Sequence, residues 1–531
     1  MSAETNQAQK STAEIAALES ALKAKDDEIA RLHRKLERMN ELLLNAQRAR
    51  FGQSSEKRTY VMSDEAEQLA LFNEAEAEQD VKAAEPTEET FTVAAHTRKK
   101  KRTVEELAKE LPVEEIVLEL HDEQNHCSGC GGTFRLIGKK LVKQEMILIP
   151  QQVKLLKYYT CSYACDGCEK KTGYAHIIST EAPPSLMKHS LASPSTVADV
   201  MTKKYVDGLP LARQEKIWKR QGVELSRATL ANWVIQTTQA WLKPLYRQMK
   251  RQLLQEAVIH ADETVVQVLK EPDKTATSES RMWIYASAMR SGTPVRYFEY
   301  QPDRSGKRPK DFLKDFTGCL VTDGYAGYDK VEGATRCGCW SHARRKWREA
   351  MPNGATTKTS KAAIGYEYCN KLFALERKLV DLDSNMRKFA RQAEAKPLLE
   401  AYWLWLDTVQ PESGSKLEDA VRYSKNQKSY LSEFLNHGDV DISNNLAENA
   451  IRPFVVGRKN WLFCDSVKGA DSSAIVYTMV ETAKANGIEP YSYLLRVLSL
   501  LPYVGKNPPN AELDKLMPWH PELRATLKKA P

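Results

Sequence analysis

The 531-residue sequence has no uninterrupted apolar run approaching the roughly 20 residues that a helix needs to cross a bilayer. Its first ten residues, Met1 to Lys10, are polar and lack the hydrophobic centre of a secretory signal peptide. These absences argue against a membrane-spanning or secreted protein, so we expect a cytoplasmic location. The ten cysteines are then expected to be reduced, and closely spaced cysteines indicate a metal site and not a disulfide.

Charge is distributed unevenly along the chain, although its net value is only +8. Residues 64–89 contain ten acidic side chains and one lysine, a composition typical of a disordered linker. Residues 201–251 contain eleven lysines and arginines against three acids, which indicates either a nucleic-acid contact or a solvated helix face. With 42% hydrophobic residues, a chain of this length can bury several cores, and we expect three to four structural units.

Hydrophobic residues recur every seven positions near the N-terminus, in a pattern typical of a coiled coil. The first series is Ile15, Leu22, Ile29, Leu36 and Leu43, and the second is Leu18, Lys25, Leu32 and Met39. β-Branched residues in the first series and leucines in the second favour a parallel dimer, although one amphipathic helix docked on the protein would give a similar pattern. Basic clusters follow at residues 48–58 and 98–102, and each could contact phosphates or lie in a solvated linker.

Four cysteines form two Cys-x-x-Cys pairs, the arrangement that holds a structural zinc ion. The pairs are Cys127 with Cys130 and Cys165 with Cys168. The segments Leu141 to Pro150 and Val153 to Thr160 are predicted to form a hairpin between the pairs, and Cys161 is left as a spare. We therefore expect one Zn²⁺ with four thiolate ligands, while chance pairing or a redox role is the alternative.

A separate Cys-x-x-His pair, Cys339 and His342, follows a predicted strand. One such pair supplies only two ligands, so it is weak evidence for a metal site. Local packing of the loop is favoured over a second zinc site, and both interpretations stay open.

Two short helices separated by a glycine-containing turn are predicted within the basic region. Leu209 to Trp218 begins the first helix, Gly222 to Leu225 forms the turn, and Ser226 can cap a second helix from Arg227 to Thr237. This outline is that of a helix-turn-helix, whose second helix enters the major groove of DNA. The candidate DNA contacts are Arg227, Thr229 and Asn232. A helix pair that only packs in a core is the alternative.

Two aspartates accompany apolar, β-branched stretches that are predicted strands, and one glutamate lies on a polar predicted helix. These residues are Asp262, Asp323 and Glu448. Three antiparallel strands, a helix and a further strand bearing the second aspartate form the order of a ribonuclease-H-like fold, a mixed sheet with helices. Converging carboxylates of this kind can bind two Mg²⁺ or Mn²⁺ ions about 3.5–4 Å apart, an arrangement suited to phosphodiester cleavage.

Glu448 lies 125 positions after Asp323, a gap too long for a bare catalytic core. The gap predicts a helical insertion at about residues 351–436, built from amphipathic helices at Ala362 to Ala395 and Leu398 to Leu435. The chain as a whole is therefore predicted to be a multidomain α+β protein.

Glu448 is favoured over Glu481 as the third carboxylate. Asn444, Asn445 and Arg452 share its helix face, which is suited to meeting both metal and phosphate. Glu481 lies on a much more apolar predicted helix.

Several of these stretches resemble the TnpC-type transposases of the insertion-sequence-66 family. The resemblance is carried by His260–Thr264, Thr322–Tyr325, Cys339–Lys346, and Asn444–Phe463 with its Ile451–Pro453 and Gly457–Phe463 segments. It extends over nearly the whole chain because the flanking modules also agree. The sequence departs from the family pattern at Ser443 and Asn449, where Asp and Arg are common, and neither position is a presumed metal ligand.

The resemblance implies a bacterial DNA transposase that binds terminal inverted repeats and target DNA, associates with the nucleoid when bound to DNA, and acts as a homodimer or higher oligomer. Asp262, Asp323 and Glu448 would form its metal-binding triad for strand cleavage and strand transfer. Small accessory proteins of the same element could be required. Further phosphate or base contacts are expected at Arg452, Arg458, Lys459 and Trp461. A DNA-binding regulator, or a nuclease of this fold acting outside transposition, is the alternative.

The predicted organisation has eight segments. They are a coiled coil at residues 1–58, an acidic linker at 59–96, a zinc module at 97–180, a basic helix-turn-helix region at 181–255, the first part of the catalytic core at 256–350, a helical insertion at 351–436, the second part of the core at 437–484, and a C-terminal helical tail at 485–531.

Overall fold

The computed structural model describes residues 176–352 and 355–527 almost completely, with shorter stretches before them. The shorter stretches are residues 21–26, 28, 31–32, 35, 39, 130, 139–141, 151–166, 170–171 and 174. One compact unit comprises Met1–Gly52 and Thr160–Leu527, and the second comprises Gln53–Tyr159 and Lys528–Pro531. Of the predicted coiled-coil positions, Leu22, Lys25, Leu32 and Met39 are helical and exposed, and the other five lie outside the described residues. Dimerisation through this segment stays a prediction.

The predicted zinc module is described only in part. Its β1 strand, Ser162–Cys165, pairs antiparallel with β2, His176–Ser179, and Cys165 lies opposite His176. Cys130 and Cys165 are exposed, whereas Cys127 and Cys168 lie outside the described residues. The strand predicted from Val153 to Thr160 was wrong, because residues 151–161 have no regular secondary structure. Leu155, Leu156, Tyr158 and Tyr159 are all exposed, so this apolar and aromatic stretch lacks the buried face that would favour a strand.

Three of the helices in the basic region include the pair that was predicted to form the helix-turn-helix. They are α1 (Pro194–Tyr205), α2 (Leu211–Arg220) and α3 (Arg227–Thr237). The bounds predicted for α3 were confirmed, because the Ser226 hydroxyl accepts a hydrogen bond from the Thr229 backbone N–H and begins the helix there. Buried Gln214 of α2 donates to the Val200 and Leu209 carbonyls, which ties α2 to α1. A π-helical turn, Thr238–Leu242, joins α3 to α4, Lys243–Leu253.

A six-stranded mixed sheet forms the centre of this unit. Its strands are β3 (Val258–Lys270), β4 (Glu279–Ser287), β5 (Arg296–Gln301), β6 (Cys319–Thr322), β7 (Thr335–Gly338) and β8 (Cys464–Ser466). The order is β5-β4-β3-β6-β7, and β8 pairs with the far end of β3. The first three strands are antiparallel, as the sequence predicted, whereas β6 and β7 run parallel to β3. The helix predicted between β5 and β6 is short, α5 at Lys307–Phe312.

Helices cover this sheet and extend its core. Among them are α6 (Trp340–Ala350), α12 (Asn445–Trp461), α13 (Val467–Ala485), α14 (Pro490–Val504), α15 (Asn510–Asp514) and α16 (Pro521–Leu527). α13 is buried along most of its length, and its Thr478 hydroxyl accepts from the Phe298 backbone N–H of β5. Among the described residues, no helix is both long and apolar enough to cross a membrane.

The region predicted as a helical insertion is helical, but it does not form two long helices. Its helices are α7 (Lys361–Lys378), α8 (Ser384–Ala390), α9 (Lys396–Asp407), α10 (Lys416–Asn426) and α11 (Lys428–Ser432). Asp383 and Ser415 cap the starts of α8 and α10, where their side chains accept hydrogen bonds from backbone N–H groups. These caps divide the predicted helices into shorter ones. A π-helical turn, Arg391–Ala395, makes α8 and α9 continuous. These helices build a second hydrophobic core with α6, in which Trp347 donates to the Tyr402 hydroxyl at 3.0 Å.

Candidate active site

The sheet register brings the two predicted aspartates together. β3 and β6 are parallel, and Ile259 and His260 pair with Leu320 and Val321. Continuing this register by two residues places Asp323, the first residue after β6, beside Asp262 on the same face. Neighbouring strands are about 4.8 Å apart, which is suitable for two carboxylates that share cations.

Each aspartate is also held by its local backbone. The Glu263 N–H donates to Asp262 Oδ1 at 2.8 Å, and the Tyr325 N–H donates to Asp323 Oδ1 at 2.9 Å. Arg336 of β7 fixes the loop after β6, because its guanidinium donates to the carbonyls of Asp323 at 2.7 Å and Tyr325 at 3.2 Å. The sequence did not single out Arg336, whose role depends on strand pairing.

Helix α12 brings Glu448 to the aspartates, and Asn444 anchors the start of that helix. The Asn444 amide donates to the Ala261 carbonyl at 2.8 Å, one residue before Asp262. Its backbone N–H donates to Cys339 Sγ at 3.1 Å, and its Oδ1 lies 3.2 Å from His260 Nδ1. Asn444 was predicted to lie on the open face with Glu448, but it is fully buried. It acts as a link between α12, β3 and α6.

The charges of the other two carboxylates act on Asp262. The pKa of Asp262 is raised well above its usual range, first by burial and then by the negative charges of Glu263, Asp323 and Glu448. A carboxylate whose ionised form is disfavoured in this way is matched by divalent cations, whose charge stabilises that form. The oxygen ligands of this group suit Mg²⁺ or Mn²⁺.

Glu481, the competing glutamate, is in a different environment. It lies on α13, forms an ion pair with Lys484 at 2.8 Å, and is 8% exposed. Burial raises its pKa, and Lys484 and Arg296 lower it. Its charge is not among those that raise the pKa of Asp262, whereas the charge of Glu448 is.

Glu448 also meets the Cys-x-x-His pair. One ligand atom from each of Cys339, His342 and Glu448 lies within 4.8 Å of the others, so the three could hold a metal ion. His342 Nδ1 is 3.6 Å from Glu448 Oε1, and both atoms are buried without a hydrogen-bond partner among the described residues. The other oxygen of Glu448 faces Arg345, with Nη2 at 3.3 Å. The sequence missed this grouping, because the pair and the glutamate are distant in the chain.

A second acidic residue beside Asp262 was also missed. Glu263 is nearly buried, forms an ion pair with Arg304 at 2.6 Å, and accepts a hydrogen bond from the Tyr328 hydroxyl at 2.8 Å. Its pKa is raised by burial and by Asp323, and lowered by Arg304. The charge of Glu263 is thus already balanced by Arg304, whereas that of Asp262 is surrounded by other acids.

The predicted DNA contacts on α3 differ in their exposure to solvent. Arg227 and Asn232 are exposed. Thr229 is half-buried, and its hydroxyl lies 3.0 Å from that of Ser226, in the cap of the helix.

The four contacts predicted on α12 lie in different surroundings. Arg452 lines a cavity together with Glu448, and Lys459 is exposed. Arg458 Nη1 is 3.4 Å from the Thr264 hydroxyl on β3. Trp461 is half-buried, packs edge-on against Phe454 with ring centroids 5.5 Å apart, and lies under Lys204.

Comparison with known proteins assigns the family. A model described as "Transposase IS66 family" matches residues 189–472, which is more than half of the chain and contains all three carboxylates. The chain belongs to the IS66 transposase family. The family's C-terminal element matches residues 478–519, its zinc-finger binding domain matches residues 124–169, and a model described as "Transposase C of IS166 homeodomain" matches residues 38–116.

These matches agree with the transposase, divalent-metal and zinc predictions at the level of the family. The zinc-finger match includes all four cysteines of the two Cys-x-x-Cys pairs. The homeodomain match at residues 38–116 includes the segment that we predicted as an acidic linker, and that segment lies outside the described residues.

Three relatives from Sinorhizobium fredii strain NGR234 match over most of their length. Uncharacterized protein y4qI is 28% identical over 549 residues, covering 96% of this chain and 94% of the relative. Uncharacterized protein y4hP is 28% identical over 492 residues, covering 88% and 86%. Uncharacterized protein y4jD is 25% identical over 434 residues, covering 79% and 82%. Their names assign no activity, so the similarity supports a shared architecture.

Proposed function

We propose that this transposase cleaves and joins DNA through a triad of Asp262, Asp323 and Glu448 that binds two Mg²⁺ or Mn²⁺ ions. The observation that carries the proposal is the placement of Asp323 beside Asp262 in the sheet, with the charge of Glu448 acting on the same group. The oxygen-rich ligand set fits hard divalent ions. Family membership supports the reaction class.

The protein's own residues would hold the reacting groups in place. Divalent ions bound at the triad would stabilise the charge that develops on the attacking and leaving oxygens of a phosphodiester. Asn444 positions the helix that carries Glu448, and Arg336 positions the loop that carries Asp323. The DNA phosphate would lie over the face of β3 and β6 that bears the two aspartates. Water would serve as the first nucleophile and the freed 3′-hydroxyl as the second.

The sheet order supports a ribonuclease-H-like core, with three antiparallel strands followed by parallel strands on the other side of β3. The proposed DNA ends are terminal inverted repeats, read by α3 through Arg227, Thr229 and Asn232 and positioned by the zinc module. We further propose that the N-terminal heptads form a dimer and that the protein acts on the bacterial nucleoid, with accessory proteins of the element where they are needed. The eight predicted segment boundaries remain part of this proposal.

Cleavage assays on labelled DNA carrying the element ends test the triad. With Mg²⁺ or Mn²⁺, wild-type protein is expected to nick and join the ends. Asp262→Ala, Asp323→Ala and Glu448→Gln are expected to lose both reactions by a factor on the order of a thousand while retaining DNA binding. Glu481→Gln is the matched control and is expected to remain active.

The products discriminate between activities. Strand-transfer joints support a transposase, whereas simple nicks without joints would indicate a nuclease acting outside transposition. Specific binding without cleavage, unchanged when accessory proteins are added, would indicate a DNA-binding regulator. Loss of activity in Glu481→Gln with full activity in Glu448→Gln would reassign the third carboxylate.

A further inference from the structure

An arginine-rich cavity of about 340 Å³ opens beside Glu448, between α6 and α12. On α6, its lining residues recur at helical spacing and share one face. They are Ser341, Arg344, Arg345 and Arg348. On α12, Asn445, Glu448, Asn449 and Arg452 show the same spacing, and Tyr366 of α7 completes the lining. Four arginines against one glutamate give this lining an excess of three positive charges.

The arginines are held in place by different contacts. Arg344 donates to Asn370 at 2.8 Å and to the Tyr366 hydroxyl at 3.0 Å, which fixes its guanidinium at the wall of the cavity. Arg345 contacts Glu448 and is 49% exposed. Arg348 is exposed near the Tyr366 ring, 5.8 Å from its centroid. The cavity therefore combines one fixed guanidinium with others that are accessible to a ligand.

The chemistry of the lining selects an anion with several oxygens. Guanidinium groups bind phosphate through paired N–H donors, and asparagine amides add neutral donors. A lone carboxylate in the lining would repel an anion, but Glu448 is the residue that we propose to bind metal. The charges are interspersed, since Arg345 contacts Glu448 at 3.3 Å and the other arginines line the same cavity.

We propose that this cavity binds the sugar-phosphate backbone of a DNA strand next to the scissile phosphate. The proposal rests on the function proposed above, because a metal ion held by Glu448 would place the reacting phosphate beside the cavity. Residues of α6 and α7 would then position the strand, and α7 belongs to the helical insertion. The insertion would thereby contribute Tyr366 to DNA binding and hold Arg344 of α6 in place, in addition to forming its own core.

Binding assays on the full-length protein test this proposal without requiring cleavage. The probe is a short fluorescein-labelled single-stranded DNA, titrated by fluorescence anisotropy without added Mg²⁺ or Mn²⁺ at several salt concentrations. Arg348→Ala and Arg452→Ala are each expected to weaken binding about tenfold. Each is also expected to reduce the salt dependence of the association constant by about 0.7 in log–log slope, as for one lost phosphate contact on a single strand.

The control is Arg377→Ala, which removes an exposed arginine from the end of α7, remote from Tyr366 along the helix. It is expected to bind as the wild type does. Circular dichroism and thermal unfolding establish that each variant is folded. Arg348→Lys keeps the charge but not the paired donors, and an affinity between those of wild type and Arg348→Ala would support recognition by the guanidinium.

Equal binding by Arg348→Ala, Arg452→Ala and Arg377→Ala would overturn the proposal. A second result would also overturn it. If the two cavity variants bound DNA normally and lost only the binding of a fluorescent nucleoside triphosphate, the cavity would bind a free nucleotide and not a DNA strand. The outcome is separable from the triad test. Weakened binding in both arginine variants together with full cleavage by Asp262→Ala would support the cavity and refute the proposed triad, while the reverse result would refute only the cavity.

Discussion

Asp262 on β3 lies beside Asp323, the first residue after the neighbouring parallel strand β6, and the pKa of Asp262 is raised in part by the charge of Asp323. Two acids in such proximity destabilise a folded protein unless a cation lies between them. The same arrangement that suits metal binding therefore reduces the stability of the metal-free protein. This opposition between metal binding and stability gives a test of the site that does not depend on DNA.

Asp262→Asn is expected to raise the stability of the metal-free protein by about 1 kcal/mol, because it removes a carboxylate whose ionised form is disfavoured by burial and by the charges of Glu263, Asp323 and Glu448. The same change is expected to abolish the stabilisation that Mn²⁺ gives to the wild type. Thermal unfolding with and without MnCl₂ measures both effects. Asp311→Asn, at an exposed position on α5, is the control and should retain the Mn²⁺ response. A wild-type protein whose melting temperature does not respond to Mn²⁺ would contradict the prediction.

Local sequence signals predicted several parts of this fold. The bounds of α3 followed from Ser226, since a cap acts within three residues of itself. The strands around Asp262 and Asp323 followed from β-branched runs. The insertion was predicted as helical from its periodicity, but the breaks at Asp383 and Ser415 were missed because an amphipathic pattern continues across short interruptions.

Features that depend on contacts between distant segments could not be predicted. The pairing of β3 with β6 decides that Asp323 lies beside Asp262, and no local pattern specifies a parallel register. The grouping of Cys339 and His342 with Glu448 depends on the packing of α6 against α12. Asn444 was assigned to the open helix face from spacing alone, whereas its buried contacts with β3 become visible only in the fold.

The helical insertion is connected to the active site through a buried ion-pair network. Arg391 is fully buried and donates to both oxygens of Glu376 at 2.8 and 2.7 Å. It also donates to the carbonyls of Phe434 at 3.0 Å, His437 at 2.6 Å and Val440 at 2.8 Å, in the chain that leads into α12. The network therefore holds the segment that precedes Glu448.

Arg391→Ala is expected to destabilise the protein by about 3–5 kcal/mol, because it leaves the buried Glu376 carboxylate with one fewer partner. Urea unfolding measures the loss. Arg422→Ala is the control, since Arg422 forms an exposed ion pair with Asp419, and it should change stability by less than about 1 kcal/mol. Similar losses in the two variants would contradict the assignment of a structural role to the buried network.

Asn444→Ala is expected to lower DNA cleavage about tenfold or more while leaving DNA binding intact, because α12 loses its hydrogen bonds to Ala261 and His260. The buried Ala261 carbonyl is left without that donor, so a stability loss of about 1–3 kcal/mol is expected as well. Cleavage assays below the unfolding temperature separate the two effects. Asn426→Ala, at an exposed position on α10, is the control. Unchanged cleavage in Asn444→Ala would show that Glu448 is positioned without this link.

The zinc prediction can be tested by metal content. The purified protein is expected to contain one Zn²⁺ per chain, because four thiolates complete a tetrahedral site. Replacing Cys130 and Cys165 together by serine is expected to remove the ion, as measured by atomic absorption. Cys161→Ser is the matched control, since Cys161 is exposed in the same module and outside the two pairs. Zinc loss in Cys161→Ser with retention in the double variant would reassign the ligands.

Glu299 on β5 gives a pH-dependent test of the core, and no triad carboxylate is among the groups that shift its pKa. Burial raises its pKa from 4.5 to about 7, although Lys250 opposes the shift, and its Oε2 has no hydrogen-bond partner among the described residues. A carboxyl whose pKa is higher in the folded state binds more protons when folded. The buried carboxyl therefore lowers the free energy of unfolding once it must ionise. This loss of stability is absent below the unfolded-state pKa, grows between pH 4.5 and about 7, and is complete above the folded-state pKa.

Glu299→Gln should therefore stabilise the protein by about 1–3 kcal/mol near pH 8, where the wild-type carboxylate is ionised, and by little near pH 5. Urea unfolding at the two pH values measures the difference, and Glu394→Gln, at an exposed position, is the control. An equal effect of Glu299→Gln at both pH values would mean that packing around residue 299, and not its ionisation, causes the change in the protein's stability.

Lys250 gives a second test, because it lies beside the same carboxylate. Lys250→Met should enlarge the loss of stability at high pH, and Glu299→Gln in that background should recover more stability than in the wild type.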